Sequence, residues 1–139
     1  MKVLFDTNVI LDVLLGREPF AHDAGLLMAS VEQGALDGSL CATTITTIHY
    51  LANKSLGAER TRGLVKGLLS LFEIAPVNRS VLESAQELAF ADFEDAVLHE
   101  AARHANVDAI VTRDSRGFAR AALPIHTPTD LLNVLKSVD

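Results

Sequence analysis

The chain has 139 residues, of which 49% are hydrophobic and 22% are charged, a composition typical of one globular domain and not of a disordered segment. Twelve Lys and Arg against eighteen Asp and Glu give a formal net charge of −6, which argues against nucleic-acid binding by bulk positive charge but leaves a local basic face open. Because the single Cys41 cannot form an internal disulfide and no apolar run approaches the roughly 18 residues that span a bilayer, we expect a cytoplasmic protein without a membrane segment.

The first half of the chain alternates strand-like and helical patterns. A short apolar run at residues 3–5, stopped by Asp6, predicts a strand. Residues 20–33 carry apolar side chains at spacings of three and four, which predicts an amphipathic helix. Residues 39–42 and 71–74 are weaker strand candidates.

The next segment predicts two helices followed by a strand. Residues 80–90 open with Ser80 and a glutamate three positions later, the capping box that begins many helices. Residues 93–105 carry small apolar side chains at helical spacing, and the apolar run at 109–111 is the second clear strand candidate.

The end of the chain repeats the strand–helix pattern. Residues 124–126 form a weak strand candidate, and Thr127 with Pro128 supplies a capping residue and a proline at the first position of a last helix. Short apolar strands that alternate with longer helices predict the α/β class, with a parallel sheet covered by helices on both faces.

Four aspartates fall where these predicted elements begin or end. Asp6 and Asp114 each follow an apolar strand, whereas Asp92 and Asp95 open a helix and lie three residues apart, on one helical face. Ligands of an open parallel sheet bind beyond the carboxyl ends of its strands, so we expect Asp6 and Asp114 at that rim. Converging carboxylates suit Mg²⁺ or Mn²⁺, which lowers the pKa of bound water and binds phosphoryl groups. The pattern indicates metal-assisted phosphodiester hydrolysis.

At these residues the sequence resembles the PIN-domain family. The segments DTNVIL from Asp6, DFEDA from Asp92 and IVTRD ending at Asp114 match the three signatures of that family in order. Within the family, the chain is similar to the VapC-like ribonuclease toxins of toxin–antitoxin pairs. The resemblance implies a single PIN-like domain over residues 1–139, with a three-layer α/β/α fold around a central parallel sheet. It also implies Mg²⁺- or Mn²⁺-dependent cleavage of RNA and silencing by a cognate antitoxin.

The resemblance further implies roles for individual residues. It assigns metal binding and catalysis to four acids, which are Asp6, Asp92, Asp95 and Asp114. Asn8 and Thr112 would support the metal ligands. Arg113 and Arg116 flank Asp114 and would contact RNA phosphates, since arginine binds phosphate through two parallel hydrogen bonds.

The same acids also have ordinary structural interpretations. Asp6 and Asn8 are good helix N-cap residues, and Asp92 lies where an N-cap is expected, with Asp95 as its partner. Asp114 could belong to a turn. The ordered signatures favour a site for Asp6, Asp95 and Asp114, whereas capping and metal binding are equally supported for Asp92.

One position departs from the family pattern. The family usually has a glutamate, within a T-x-x-E pattern, on the helix after the second strand, and here we align that glutamate with His49. The site would then rely on Asp92 in place of that acid, or the enzyme would be weakened. A catalytically degenerate PIN-like domain that binds RNA or protein is therefore the alternative function. A small phosphatase or a DNA nuclease on a similar frame also fits the residues.

Partners are predicted from the resemblance and from apolar helix faces. Apolar residues including Leu64, Leu68 and Leu71 predict a homodimer, and we expect an extended antitoxin segment in a groove near Arg113 and Arg116. Aromatic residues make up only 5% of the chain. The phenylalanines are expected in the core, so no stacking platform for single-stranded RNA is predicted.

Overall fold

Five parallel strands form the centre of the computed structural model, which describes residues 1–138. In chain order they are β1 (Lys2–Phe5), β2 (Asp37–Cys41), β3 (Glu73–Ala75), β4 (Ala109–Val111) and β5 (Ile125–His126). Across the sheet the order is β3-β2-β1-β4-β5, and every neighbouring pair is parallel. The expectation of a central parallel sheet is confirmed.

Helices cover both faces of this sheet. They are α1 (Thr7–Leu14), α2 (Phe20–Glu32), α3 (Ala42–Leu56), α4 (Ala58–Leu71), α5 (Arg79–Gln86), α6 (Phe93–His104) and α7 (Pro128–Val138). A short 3₁₀ turn at Ser115–Phe118 follows β4. Within residues 1–138, none of these helices combines the length and apolar character needed to cross a membrane.

Two apolar clusters hold the layers together, one on each face of the sheet. Because successive strand residues point to opposite faces, Val3 and Phe5 of β1 enter one cluster and Leu4 enters the other. The first cluster contains residues from α1, α2, α3, α4 and α7, and the second contains residues from α5 and α6. This division gives the expected three-layer α/β/α arrangement.

Two local predictions were wrong in detail. Ser80 does not cap its helix, because Asn78 is the N-cap and its Oδ1 accepts a hydrogen bond from the backbone N–H of Val81 at 3.1 Å. The strand expected at 71–74 lies two residues later in β3, because α4 continues through its last turn. Phe72, between the two, is buried and packs edge-on against Phe5, with ring centroids 5.2 Å apart.

The leucines of α4 do not form the free apolar face that was expected. Leu68 is buried in the first cluster and Leu71 packs against it, while Leu64 is half-buried. Leu68 and Leu71 therefore stabilise the protein's own core, and their assignment to a dimer surface was wrong. The homodimer itself stays a prediction. The exposed large apolar side chains of α3 and α4 are instead Tyr50 and Leu69, together with the partly exposed Leu51.

Candidate active site

The carboxyl ends of β1 and β4 open into a cleft of about 360 Å³. Because these strands are neighbours, the residue after each lies at the same rim, and the first turn of α6 approaches it from the second helical layer. The structure brings all four aspartates identified in the sequence to the lining of this cleft, which are Asp6, Asp92, Asp95 and Asp114.

Asp6 is the most buried of these acids and is held by three hydrogen bonds. Its Oδ1 accepts from the backbone N–H of Thr7 at 2.7 Å, which caps α1. Its Oδ2 accepts from the Thr112 hydroxyl at 2.7 Å and from the Asn8 amide at 3.3 Å. Burial raises the pKa of Asp6 above its usual value, although the hydrogen bonds from Thr112 and Thr7 oppose the rise. Asn8 and Thr112 therefore fix the orientation of this carboxylate.

Among the acids of the cleft, Asp95 has the most strongly raised pKa. Burial is the main cause that raises its pKa, and the negative charges of Asp6, Asp92 and Asp114 add to the effect, so that the pKa reaches about 7. Asp92 is the N-cap of α6, since its Oδ1 accepts from the backbone N–H of Asp95 at 3.1 Å. Asp92 therefore both caps α6 and lines the cleft.

Asp114 is exposed, and it follows β4 at the start of the 3₁₀ turn. Its backbone N–H donates to the Thr112 hydroxyl at 3.1 Å, so Thr112 contacts both acids at the strand ends. The turn itself approaches α6 closely. A Cβ atom at Gly117 would lie 2.6 Å from Oδ2 of Asp95 and 3.9 Å from Oδ2 of Asp114.

The chemistry of the cleft fits a hard divalent cation. In residues 1–138, no three His, Cys, Asp or Glu side chains already have an arrangement that could hold a metal ion. The donors that converge are nevertheless carboxylates, the ligands that Mg²⁺ and Mn²⁺ prefer. Repulsion among these carboxylates contributes to the raised pKa of Asp95. A bound divalent ion would offset that repulsion.

Sequence reasoning missed several residues that line the cleft, among them Arg17, Thr47 and Glu94. Arg17 lies between α1 and α2, and its Nε is 3.2 Å from Oδ1 of Asp12. The signal that could have indicated this contact is Asp12 itself, a charged residue inside the otherwise apolar stretch of α1. Among the lining residues that the structure describes, Arg17 is the only base.

His49, which the sequence aligned with the family's acid on α3, is exposed and lies outside the cleft. Residues three apart share a face of a helix, and the face of α3 that lines the cleft carries Thr44 and Thr47. Thr47 therefore faces the acids where His49 had been expected, and Glu94 on α6 adds a carboxylate that sequence reasoning did not include.

The two arginines expected to contact RNA have different surroundings. The Arg113 guanidinium forms a two-point contact with Asp12, with Nε 2.8 Å from Oδ2 and Nη2 3.1 Å from Oδ1. It also packs over Phe20, with Cζ 4.1 Å from the ring centroid. Arg116 is exposed and lines, with Gly117 and Arg120, a separate shallow depression of about 470 Å³.

Comparisons with known proteins match this architecture. The sequence profile of a family described as the PIN domain matches residues 2–116. No curated protein sequence gives a significant match.

Three solved structures illustrate the shared fold. VapBC2 from Rickettsia felis, bound to a DNA fragment from its promoter, is 17% identical, covers 91% of this chain and 98% of its own, and has a TM-score of 0.66. FitAcB from Neisseria gonorrhoeae is 22% identical over 91% of this chain and 98% of its own, with a TM-score of 0.69. VapC20 from Mycobacterium tuberculosis, a toxin that cleaves the sarcin-ricin loop, is 15% identical to this chain. The match covers 85% of this chain and 94% of VapC20, with a TM-score of 0.68. At these identities the similarity shows the fold.

Proposed function

The chain belongs to the PIN-domain family, and from this membership we propose that it is a metal-dependent endoribonuclease and the toxin of a toxin–antitoxin pair. The observation that carries the proposal is the convergence of Asp6, Asp95 and Asp114 at one cleft. The raised pKa of Asp95 supports it, because pKa values shifted by burial and like charges cluster at functional sites.

The acids of the cleft would hold Mg²⁺ or Mn²⁺. Asp6, Asp95 and Asp114 are the proposed ligands, and Asp92 contributes from the N-cap of α6. When bound, such an ion lowers the pKa of water and neutralises charge on a phosphate. Thr112 donates to Asp6 and accepts from the backbone of Asp114, so it keeps the acids of the two strand ends in a fixed relation.

The phosphate would be bound by arginine. Arg17 reaches the cleft and is held by the buried Asp12, so its guanidinium is oriented before substrate binds. Arg116 is exposed beside Gly117, outside the cleft lining, and we assign it a phosphate further along the RNA strand. Arg113 does not line the cleft, so we do not assign it to the cleaved phosphate.

The substrate and partners follow from the proteins of similar fold. VapC20 is a toxin that cleaves the sarcin-ricin loop, and a similar fold occurs in a toxin–antitoxin complex from Klebsiella pneumoniae. We therefore propose RNA as the substrate, in the cytoplasm, and a cognate antitoxin with an extended segment near Arg116. A homodimer remains part of this proposal.

The test is cleavage of a mixed RNA substrate in Mg²⁺ or Mn²⁺, compared with EDTA. Asp6→Ala and Asp114→Asn should abolish cleavage, whereas Asp37→Asn, which changes an exposed acid at the amino end of β2, should not. Cleavage that survives both EDTA and Asp6→Ala would overturn the mechanism.

A degenerate binding module is the second candidate, and the observation that favours it is that α3 contributes Thr43, Thr44 and Thr47 to the lining of the cleft but no acid. Calorimetric titration with Mn²⁺ distinguishes the two functions. Binding that Asp95→Ala abolishes supports the enzyme. Absence of binding in the wild type supports the module.

A further inference from the structure

Asp12 links the acidic cleft to a second cavity. It is only 1% exposed, although it lies in the last turns of α1, near the protein surface. Its carboxylate contacts Arg17, which lines the cleft, and Arg113, which lines the second cavity. A buried carboxylate needs such partners, since an unpaired charge in this position is costly. The two guanidinium groups are therefore held side by side.

The second cavity, of about 460 Å³, lies between the start of α2 and the start of α7. Phe20 forms one side of it and remains 41% exposed, with the Arg113 guanidinium packed against its ring. This corrects the expectation that the phenylalanines are all in the core. Hydroxyl and carboxylate groups also line the cavity, where Thr129 of α7 donates a hydrogen bond to Asp23 of α2 at 2.6 Å.

We infer that this cavity is a subsite for one nucleotide of single-stranded RNA, next to the nucleotide at the cleft. An exposed aromatic ring joined to a guanidinium plane is the surface on which unpaired bases stack. Two of the five N–H donors of Arg113 are used by Asp12, so its planar face and remaining donors are positioned for a ligand. Thr129 and Asp23 offer polar atoms to a base edge.

Continuity with the cleft favours RNA over a peptide as the occupant. Arg113 of the cavity directly precedes Asp114 of the cleft, and both cavities share the Asp12 carboxylate through their arginines. A strand that places one phosphate at Arg17 therefore continues toward Phe20. This inference rests on the proposed RNA substrate and adds to it the requirement for a stacked neighbouring base.

The experiment measures binding and cleavage separately. Binding of a fluorescein-labelled ten-nucleotide single-stranded RNA is followed by fluorescence anisotropy in EDTA, at about 50 and 200 mM salt. We expect Phe20→Ala to weaken binding about 5- to 150-fold, the range for loss of one base–aromatic stack. The factor should be similar at both salt concentrations, because stacking does not release counterions. Phe20→Tyr, which keeps the ring, should bind like the wild type.

Leu26→Ala is the matched control, since Leu26 is a similarly exposed apolar residue of α2 that does not line the cavity. Equal RNA affinity of Phe20→Ala and Leu26→Ala would overturn the subsite, and a protein segment would then be the better occupant. If the wild type cleaves RNA and Phe20→Ala binds it normally, only the subsite fails. If binding depends on Phe20 but no cleavage occurs in Mg²⁺ or Mn²⁺, the endoribonuclease proposal fails and the subsite stands.

Discussion

Gly117 lies so close to Asp95 that a Cβ atom at position 117 would be 2.6 Å from the Asp95 Oδ2. The 3₁₀ turn after β4 therefore touches the carboxylate with the most strongly raised pKa of the cleft. No side chain fits between them, so the glycine is required by the approach of the turn to α6.

Gly117→Ala should displace the Asp95 carboxylate and lower the rate of RNA cleavage about 100-fold, the effect of a displacement near 1 Å at a reacting site. The melting temperature should stay near that of the wild type. Gly63→Ala is the control, because nothing lies within 4 Å of a Cβ there and alanine favours the α4 helix. A Gly117→Ala protein with full activity would contradict the geometry.

The metal-free protein should lose stability as pH rises from about 4 to about 7. The pKa of Asp95 is about 7 in the folded state, whereas the ordinary pKa of an aspartate is 3.8. The folded protein therefore keeps this proton up to about pH 7. The folded state therefore binds more protons in this interval, and the free energy of unfolding falls with increasing pH. Asp95→Asn should reduce this decrease and raise the melting temperature at pH 8, by about 2–4 °C for each kcal/mol recovered. Parallel pH profiles of the two proteins would contradict it.

Thr112→Val should loosen the acids at both strand ends. The substitution removes the hydroxyl that donates to Asp6 and accepts from the backbone of Asp114. We expect the pKa of Asp6 to rise further and the free energy of unfolding to fall by about 1–3 kcal/mol at neutral pH, measured by urea denaturation. Thr112→Ser keeps the hydroxyl and should retain most of the stability. If Thr112→Ser lowers the free energy of unfolding as much as Thr112→Val does, the hydroxyl hydrogen bonds are not the cause of the loss, and packing of the side chain is.

Asp12→Ala should destabilise the protein by about 2–3 kcal/mol, because two arginines lose a buried partner. Glu73→Ala provides the comparison, since the Lys2 Nζ and Glu73 Oε2 atoms are 3.7 Å apart and the pair is mostly exposed. This substitution should lower the free energy of unfolding by less than about 1 kcal/mol. Urea denaturation measures both. If the two substitutions cost the same, Asp12 does not anchor the arginines.

Thr47→Glu should strengthen Mn²⁺ binding about 10-fold, because it adds a carboxylate to the face of α3 that lines the cleft. His49→Glu adds the same charge outside the cleft and should leave the affinity unchanged. Calorimetric titration without RNA separates the two. Tighter binding by the His49 variant alone would restore the original alignment of the missing acid.

The elements that position the acids could be predicted from local patterns. The apolar runs at 3–5 and 109–111 indicated the strands, and the residues after them were expected at one rim. Which side chains of α3 face the cleft could not be predicted from the sequence, because two residues along a helix are enough to turn a side chain from the cleft to solvent. The Arg113–Asp12 contact spans 101 residues of sequence, and no local pattern reports such a pairing. The exposure of Phe20 likewise depends on how α2 and α7 meet.

The sheet order also fixes when the cleft can exist during folding. Strand β1 is made first, but its neighbour β4 begins only at Ala109. Asp6 and Asp114 therefore meet only after a long loop has closed, and such long-range pairings form late and slowly. A nascent chain that ends before Ala109 carries Asp6, Asp92 and Asp95 but has neither β4 nor the turn that approaches Asp95. During synthesis, the cell would therefore meet an assembled cleft only after the turn at Ser115–Phe118 has been made.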